Sequence, residues 1–178
     1  MPVQKIAYDE YIIKAFLDTN VLLECKPLSD LPWEEVHADG PIIALVTPTA
    51  MKEIDSKKKD GRIGKRAREF NRLIGPVAKG GSPVIIRDSN PRVELALSRC
   101  SHIPWSSFVE LDQSDGDSCI VAEILCAKDM TSAGKILLSH DIKPIALSVG
   151  YEIDVLHVSD DWLRPTEPSP HQKENQKL

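Results

Sequence analysis

One pattern recurs along most of the chain: a short, largely apolar run is followed by a polar turn and then by a stretch with helical spacing. Runs of this kind occupy residues 15–17, 41–46, 83–87, 135–139 and 152–158. Short apolar runs of this length are typical of strands that are buried in a sheet. Strands that alternate with helices form a parallel sheet whose two faces are covered by the helices. The pattern therefore predicts an α/β fold.

The stretches between these runs differ in how clearly they predict helices. Apolar residues between 62 and 78 recur at intervals of three and four, and a Gly-Gly pair ends that pattern. The segments 117–128 and 141–149 also have helical spacing, and Thr49 is expected to begin a helix after the second strand. The segment 87–112 is interrupted by prolines, and 93–97 fits either a helical turn or an extended piece.

Length and composition exclude several classes of protein. The 178 residues correspond to one domain, 1–164, and a Pro-containing tail, 165–178, that we expect to be disordered. No apolar run approaches the roughly 18 residues of a membrane span, and the N-terminus lacks a signal-peptide pattern. We therefore expect a cytoplasmic protein with no membrane partner. The net charge of −5 argues against a generally basic protein that coats nucleic acid.

Known cofactor motifs are missing from the sequence. The four cysteines and five histidines are not spaced as zinc ligands, and disulfides are not expected in a reducing compartment. No Gly-rich phosphate loop is present, which removes the main support for ATP or dinucleotide binding.

Acidic residues follow the strands at one edge of the predicted sheet. Asp18 follows the first strand, Glu53 lies one helical turn after the second, and Asp141 follows the strand at 135–139. Asp117 begins the helix before that strand, with Asp115 two residues earlier. Because carboxylates gathered in one place repel one another, folding alone gives no reason to assemble them. Oxygen-rich sites of this kind favour Mg²⁺ or Mn²⁺, which assist phosphoryl transfer.

Helix capping is the competing interpretation of the same residues. An aspartate at a helix start is commonly an N-cap, and capping is the better explanation for Asp18, Asp115 or Asp117, or Asp141 when each is taken alone. Capping explains Glu53 poorly, and it does not explain why all of these residues lie at one edge.

Four segments resemble the acidic motifs of PIN domains, and they occur in the order found in that family. They are residues 16–23 (FLDTNVLL), 49–55 (TAMKEID), 115–120 (DGDSCI) and 137–141 (LLSHD). Each motif alone is weakly specific, but four in order at the expected structural places form a specific pattern. The resemblance implies a Rossmann-like three-layer α/β/α sandwich with a central parallel sheet. It also implies cleavage of RNA that depends on Mg²⁺ or Mn²⁺.

The resemblance also implies roles for individual residues. Four positions match the acidic residues that serve as catalytic metal ligands in the family: Asp18, Glu53, Asp117 and Asp141. Asn20 and Ser139 match the supporting polar positions. Asp115 occupies an extra acidic position found in some members, so either Asp115 or Asp117 is the main ligand. Ile120, three residues after Asp117, favours Asp117.

A basic segment begins beside Glu53. Residues 52–72 contain nine basic and four acidic side chains, so this segment carries +5 while the rest of the chain carries −10. The segment resembles that of PhoH-type PIN domains and of eukaryotic RNA-decay endonucleases. A local basic surface suggests phosphate binding, and an exposed helix face is about equally plausible for each side chain. The candidate RNA-binding residues are Lys57, Lys58, Lys59, Arg62, Lys65, Arg66 and Arg68.

The resulting hypothesis is a stand-alone, metal-dependent endoribonuclease acting on single-stranded RNA. Three alternatives stay open: a non-catalytic PIN-fold module that binds RNA or protein, a VapC-like toxin ribonuclease, and a structure-specific DNA nuclease. All expected acidic residues are present, which favours an enzyme, and no helical arch for DNA is recognisable. PIN domains often form homodimers, so a homodimer and a regulatory protein partner are both open expectations.

Overall fold

The computed structural model describes residues 10–128 and 133–165, and these form an α/β fold with a six-stranded central sheet. The strand order is β3-β4-β2-β1-β5-β6, and every neighbouring pair except β3 with β4 is parallel. The strands are β1 Ile13–Leu17, β2 Ile42–Val46, β3 Val84–Arg87, β4 Val93–Leu97, β5 Gly134–Ser139 and β6 Asp154–His157.

Within the described residues, five α-helices connect the strands. They are α1 Thr19–Glu24, α2 Pro48–Ser56, α3 Gly64–Ala78, α4 Gly116–Leu125 and α5 Ile142–Val149. The helix faces that carry apolar residues pack on the sheet, as Phe70 and Ile74 do in α3, and the central strands are almost entirely buried. No helix in the described part of the chain is long and apolar enough to cross a bilayer.

The order in which strands are added to the sheet reverses at β1, and this reversal marks the place where a ligand can bind. From β1 the chain passes to β2 and β4 on one side, and it then returns to β5 on the other side. Right-handed crossovers place the helices before and after this return on opposite faces of the sheet. Ligands of open α/β sheets bind beyond the carboxyl ends of the strands at such a reversal. The C-terminal ends of β1 and β5 therefore form the candidate site.

The structure corrects two sequence-based expectations and decides between the two alternatives for a third segment. The sheet is not wholly parallel, because only five residues join β3 to β4 and so short a connection permits an antiparallel pair. The ambiguous segment 93–97 is a strand, since it pairs in register with buried β2. Thr47, rather than Thr49, caps α2 by accepting a hydrogen bond from the amide of Ala50.

The last described residues pack on the domain. Trp162 is buried, its ring contacts Trp33 edge-to-face at 6.2 Å, and its indole N–H donates to Glu35 at 2.7 Å. The Arg164 Nε donates to the carbonyl of Cys25 at 3.0 Å. The domain therefore extends at least to residue 164, while the predicted tail, apart from Pro165, lies outside the described residues.

Candidate functional site

Asp18 is a buried carboxylate at the C-terminal end of β1. Only 3% of the residue is exposed, although an ionised aspartate is rarely buried without partners. One oxygen accepts from the amide of Thr19 at 2.7 Å and so caps α1, as the capping interpretation predicts. The other accepts from Ser139 Oγ at 2.6 Å and from Asn20 Nδ2 at 3.1 Å. The side chain thus joins β1 to β5 across the reversal point.

The environment of Asp18 disfavours its charged form. Burial, together with the negative charges of Asp117 and Asp141, raises the pKa of Asp18 to about 6, although the hydrogen bonds from Ser139 and Thr19 oppose the change. A group with this pKa would gain from a nearby cation, because a cation stabilises the ionised form.

Asn20 and Ser139 hold the ends of β1 and β5 together. Asn20 donates to Asp18 through its amide nitrogen, and its amide oxygen accepts from the backbone N–H of His140 at 3.2 Å. Ser139 Oγ donates to Asp18 and accepts from the backbone N–H of Asp141 at 3.0 Å. The two predicted supporting residues therefore lie in one hydrogen-bond network with Asp18 and the Asp141 backbone.

Glu53 approaches this network from α2. Its carboxylate accepts a short hydrogen bond from the Thr19 hydroxyl, one residue after Asp18. On its other side lies Gly116 at the start of α4, where an added Cβ would stand 2.6 Å from Glu53 Oε1. The glycine therefore leaves room for this carboxylate between α1 and α4.

Asp115 and Asp117 occupy different environments at the start of α4. Asp115 caps the helix by accepting from the amide of Ser118 at 3.0 Å, and its other oxygen lies 2.6 Å from Lys143 Nζ. This lysine lowers the pKa of Asp115. Burial raises the pKa of Asp117, and Asp115 and Asp141 raise it further, while Lys143 opposes them. Asp117 is thus the α4 carboxylate that interacts electrostatically with Asp18.

Asp141 completes the acidic edge at the start of α5. It occupies the N-cap position, but its side chain makes no capping hydrogen bond. The carboxylate is therefore not committed to the helix, in contrast to those of Asp18 and Asp115.

The chemistry of these donors fits a hard divalent cation. All five acidic residues offer carboxylate oxygens, the ligands that Mg²⁺ and Mn²⁺ prefer. Within residues 10–128 and 133–165, no three His, Cys, Asp or Glu side chains stand close enough to hold one ion directly. Mg²⁺ usually keeps several waters and takes only one or two carboxylates directly, so direct binding by three side chains is not a requirement for this ion.

Most of the predicted RNA-binding cations already have partners. The Arg62 guanidinium forms a two-pronged ion pair with Glu24 at 2.8 and 2.7 Å, and Lys58 pairs with Asp55 at 2.8 Å. The others with partners are Lys65, which lies 4.0 Å from Glu69, Arg66, which donates to the Cys25 carbonyl, and Arg68, which donates to the Lys58 carbonyl.

Lys57 and Lys59 differ from that group. Both are exposed on the turn after α2, and neither side chain forms a salt bridge in the described part of the chain. They follow Glu53 by four and six residues, so they lie beyond Glu53 at the C-terminal end of α2.

Sequence reasoning missed several residues that shape the site. Lys143, Thr19 and Gly116 each contact one of the predicted carboxylates. The buried Glu123 accepts from the amide and the hydroxyl of Thr49, both at 2.8 Å, and so fixes the start of the helix that carries Glu53. Thr19 and Gly116 had a sequence signal, since they lie inside the first and the third motif, whereas Lys143 and Glu123 lie outside all four motifs.

Comparison with known proteins yields distant structural similarity. No protein-family model and no curated protein matches the sequence. The chain is similar to a domain of a functionally unknown protein from Methanocaldococcus jannaschii, with 18% identity, a TM-score of 0.47, and coverage of 88% of this chain and 94% of that chain. It is also similar to the PIN domain endonuclease Utp24, with 17% identity, a TM-score of 0.45, and coverage of 85% and 89%. The function proposed below is therefore argued from the residues of this chain.

Proposed function

We propose that the protein is a PIN-type endoribonuclease that depends on Mg²⁺ or Mn²⁺ and cleaves single-stranded RNA. The observation that carries the proposal is the buried Asp18 carboxylate at the reversal point of the sheet, with Glu53, Asp117 and Asp141 around it. Burial and repulsion from like charges both disfavour ionisation of this carboxylate, and its hydrogen bonds offset these effects only in part, since the pKa stays raised. A bound cation would offset both effects.

The acidic residues and their neighbours would divide the work. Asp18, Glu53, Asp117 and Asp141 would hold the divalent ion, one or two of them directly and the others through its bound waters. The ion, when bound, would supply positive charge to the phosphodiester and acidify water. Asn20 and Ser139 orient Asp18 through the hydrogen bonds described above. The matched positions of the PIN motifs support this assignment.

Lys57 and Lys59 would hold RNA phosphates at the C-terminal end of α2. Both side chains are exposed and neither forms a salt bridge in the described part of the chain, so their charges are available. Contacts of this kind bind the backbone without reading sequence, so they raise affinity on any RNA that reaches the cleft.

The direct test is cleavage of labelled oligonucleotides by the purified protein. Single-stranded RNA, duplex RNA and single-stranded DNA are each incubated with Mn²⁺, with Mg²⁺ or with EDTA. We expect internal cleavage of single-stranded RNA with either metal, no cleavage in EDTA, and none by Asp18→Asn. Asp88→Asn, at an exposed position between β3 and β4, is the matched control and should cleave normally. RNA binding without cleavage under every condition would instead indicate a non-catalytic module, and preferential cutting of DNA would contradict the substrate assignment.

A further inference from the structure

Lys143 places a permanent positive charge inside the acidic edge. It is the second residue of α5, and its ammonium nitrogen lies 2.6 Å from Asp115 Oδ1 and 3.7 Å from Asp117 Oδ2. One lysine therefore bridges the start of α4 and the start of α5. These are two of the helix starts at which the predicted metal ligands lie.

Helix stability does not explain this lysine. A cation in the first turn of a helix opposes the helix dipole, which favours negative charge there. Asp115 does not need the lysine for capping either, because its other oxygen already accepts from the Ser118 amide. The lysine side chain is 59% exposed, and exposed ion pairs add little to stability. The bridge is therefore better explained by the charge that it brings to the carboxylates.

We propose that Lys143 is a built-in counter-cation that limits the acidic edge to one divalent ion. The proposal rests on the metal site proposed above. Two-metal sites hold their ions about 3.5–4 Å apart and must share carboxylates between them. Here the ammonium already engages Asp115 and Asp117, so a second divalent ion would have to displace it and would be repelled by it. One ion is then held on the side of Asp18 and Asp141, and Lys143 is a specificity-determining residue for metal number.

The test measures metal binding without RNA. Mn²⁺ is titrated into the full chain at low salt, and free Mn²⁺ is followed by electron paramagnetic resonance, with calorimetry as a second readout. Wild type is compared with Lys143→Met, which keeps the length of the side chain and removes the charge, and with Lys143→Arg, which keeps the charge. Lys79→Met, at the exposed C-cap of α3, controls for the same change in net charge away from the site. Melting curves verify that each variant is folded.

We expect one Mn²⁺ per chain for wild type, Lys143→Arg and Lys79→Met, and two for Lys143→Met. The inference is overturned if wild type binds two ions, or if Lys143→Met binds the same number as wild type. The outcome is separate from that of the cleavage assay. If Lys143→Met gains an ion while wild type cuts no RNA, the inference stands and the proposed function fails. If wild type cuts RNA while both proteins bind the same number of ions, the proposed function stands and the inference fails.

Discussion

Replacing Asp18 by asparagine tests whether this carboxylate is held for function at the expense of stability. Its pKa rises from 3.8 in the unfolded chain to about 6 in the fold. The folded state therefore binds the proton more tightly, and the stability of the wild type falls as pH rises from about 4 to about 6. Above that range the loss in the free energy of unfolding is constant, and a pKa shift of about two units corresponds to a loss of about 3 kcal/mol.

The substitution also removes an interaction. Asparagine can still accept from the Thr19 amide, but its own amide group cannot accept from Asn20 or Ser139, which donate to the same Asp18 oxygen at 3.1 and 2.6 Å. The new amide can donate to the Ser139 hydroxyl instead, so the bond from Asn20 is the one that is lost. A lost hydrogen bond of this kind costs about 1 kcal/mol. The net gain at neutral pH is therefore about 2 kcal/mol, which for a domain of this size raises Tm by roughly 4–8 °C.

The assay is a series of thermal melts in EDTA between pH 4 and pH 8. Asp18→Asn should melt at or slightly below wild type at pH 4 and clearly above it at pH 7 and 8, while Asp88→Asn should follow wild type throughout. Mn²⁺ should raise the Tm of wild type more than that of Asp18→Asn, since the variant lacks the buried carboxylate of the site. An Asp18→Asn protein that melts below wild type at pH 8 would refute the reasoning and make Asp18 a structural N-cap.

Other substitutions test the surroundings of the site. Replacing the three lysines at 57–59 by alanine should raise KM with little change in kcat. The slope of log K for RNA binding against log salt concentration should fall by ~0.7 per lost phosphate contact, and an unchanged KM would show that the lysines do not contact RNA. Gly116→Ala should displace the Glu53 carboxylate, because the new Cβ would lie 2.6 Å from Glu53 Oε1. We expect kcat to fall by about 10–100-fold with no change in Tm, and normal turnover would exclude a role for Glu53 in catalysis. Truncation after Arg164 keeps the Trp162 and Arg164 contacts, so Tm and cleavage of a short RNA should not change, and a clearly lower Tm would show that the tail packs on the domain.

The sequence alone was sufficient to predict the main elements and the order of the acidic residues. Buried strands are continuous apolar runs and exposed helices repeat every three to four residues, so both can be read from local sequence. The α/β class, the strand at 135–139 and the helix within 62–78 were predicted on that basis, and the structure confirms them. A parallel sheet also brings the carboxyl ends of its strands to one edge, which is why the positions of Asp18 and Asp141 could be anticipated together.

The tertiary structure alone decided which side chains meet. Asp18 and Ser139 are 121 residues apart, and their hydrogen bond exists because β1 pairs with β5 in one register. The bridge from Lys143 to the α4 aspartates likewise depends on the packing of two different elements, whereas the cap of α2 at Thr47 and the antiparallel pair of β3 and β4 are local features. Local periodicity reports how each segment is buried, but strand register and helix packing determine the neighbours of each charge. The pKa of Asp18 and the cation beside Asp115 therefore follow from the fold and not from any motif.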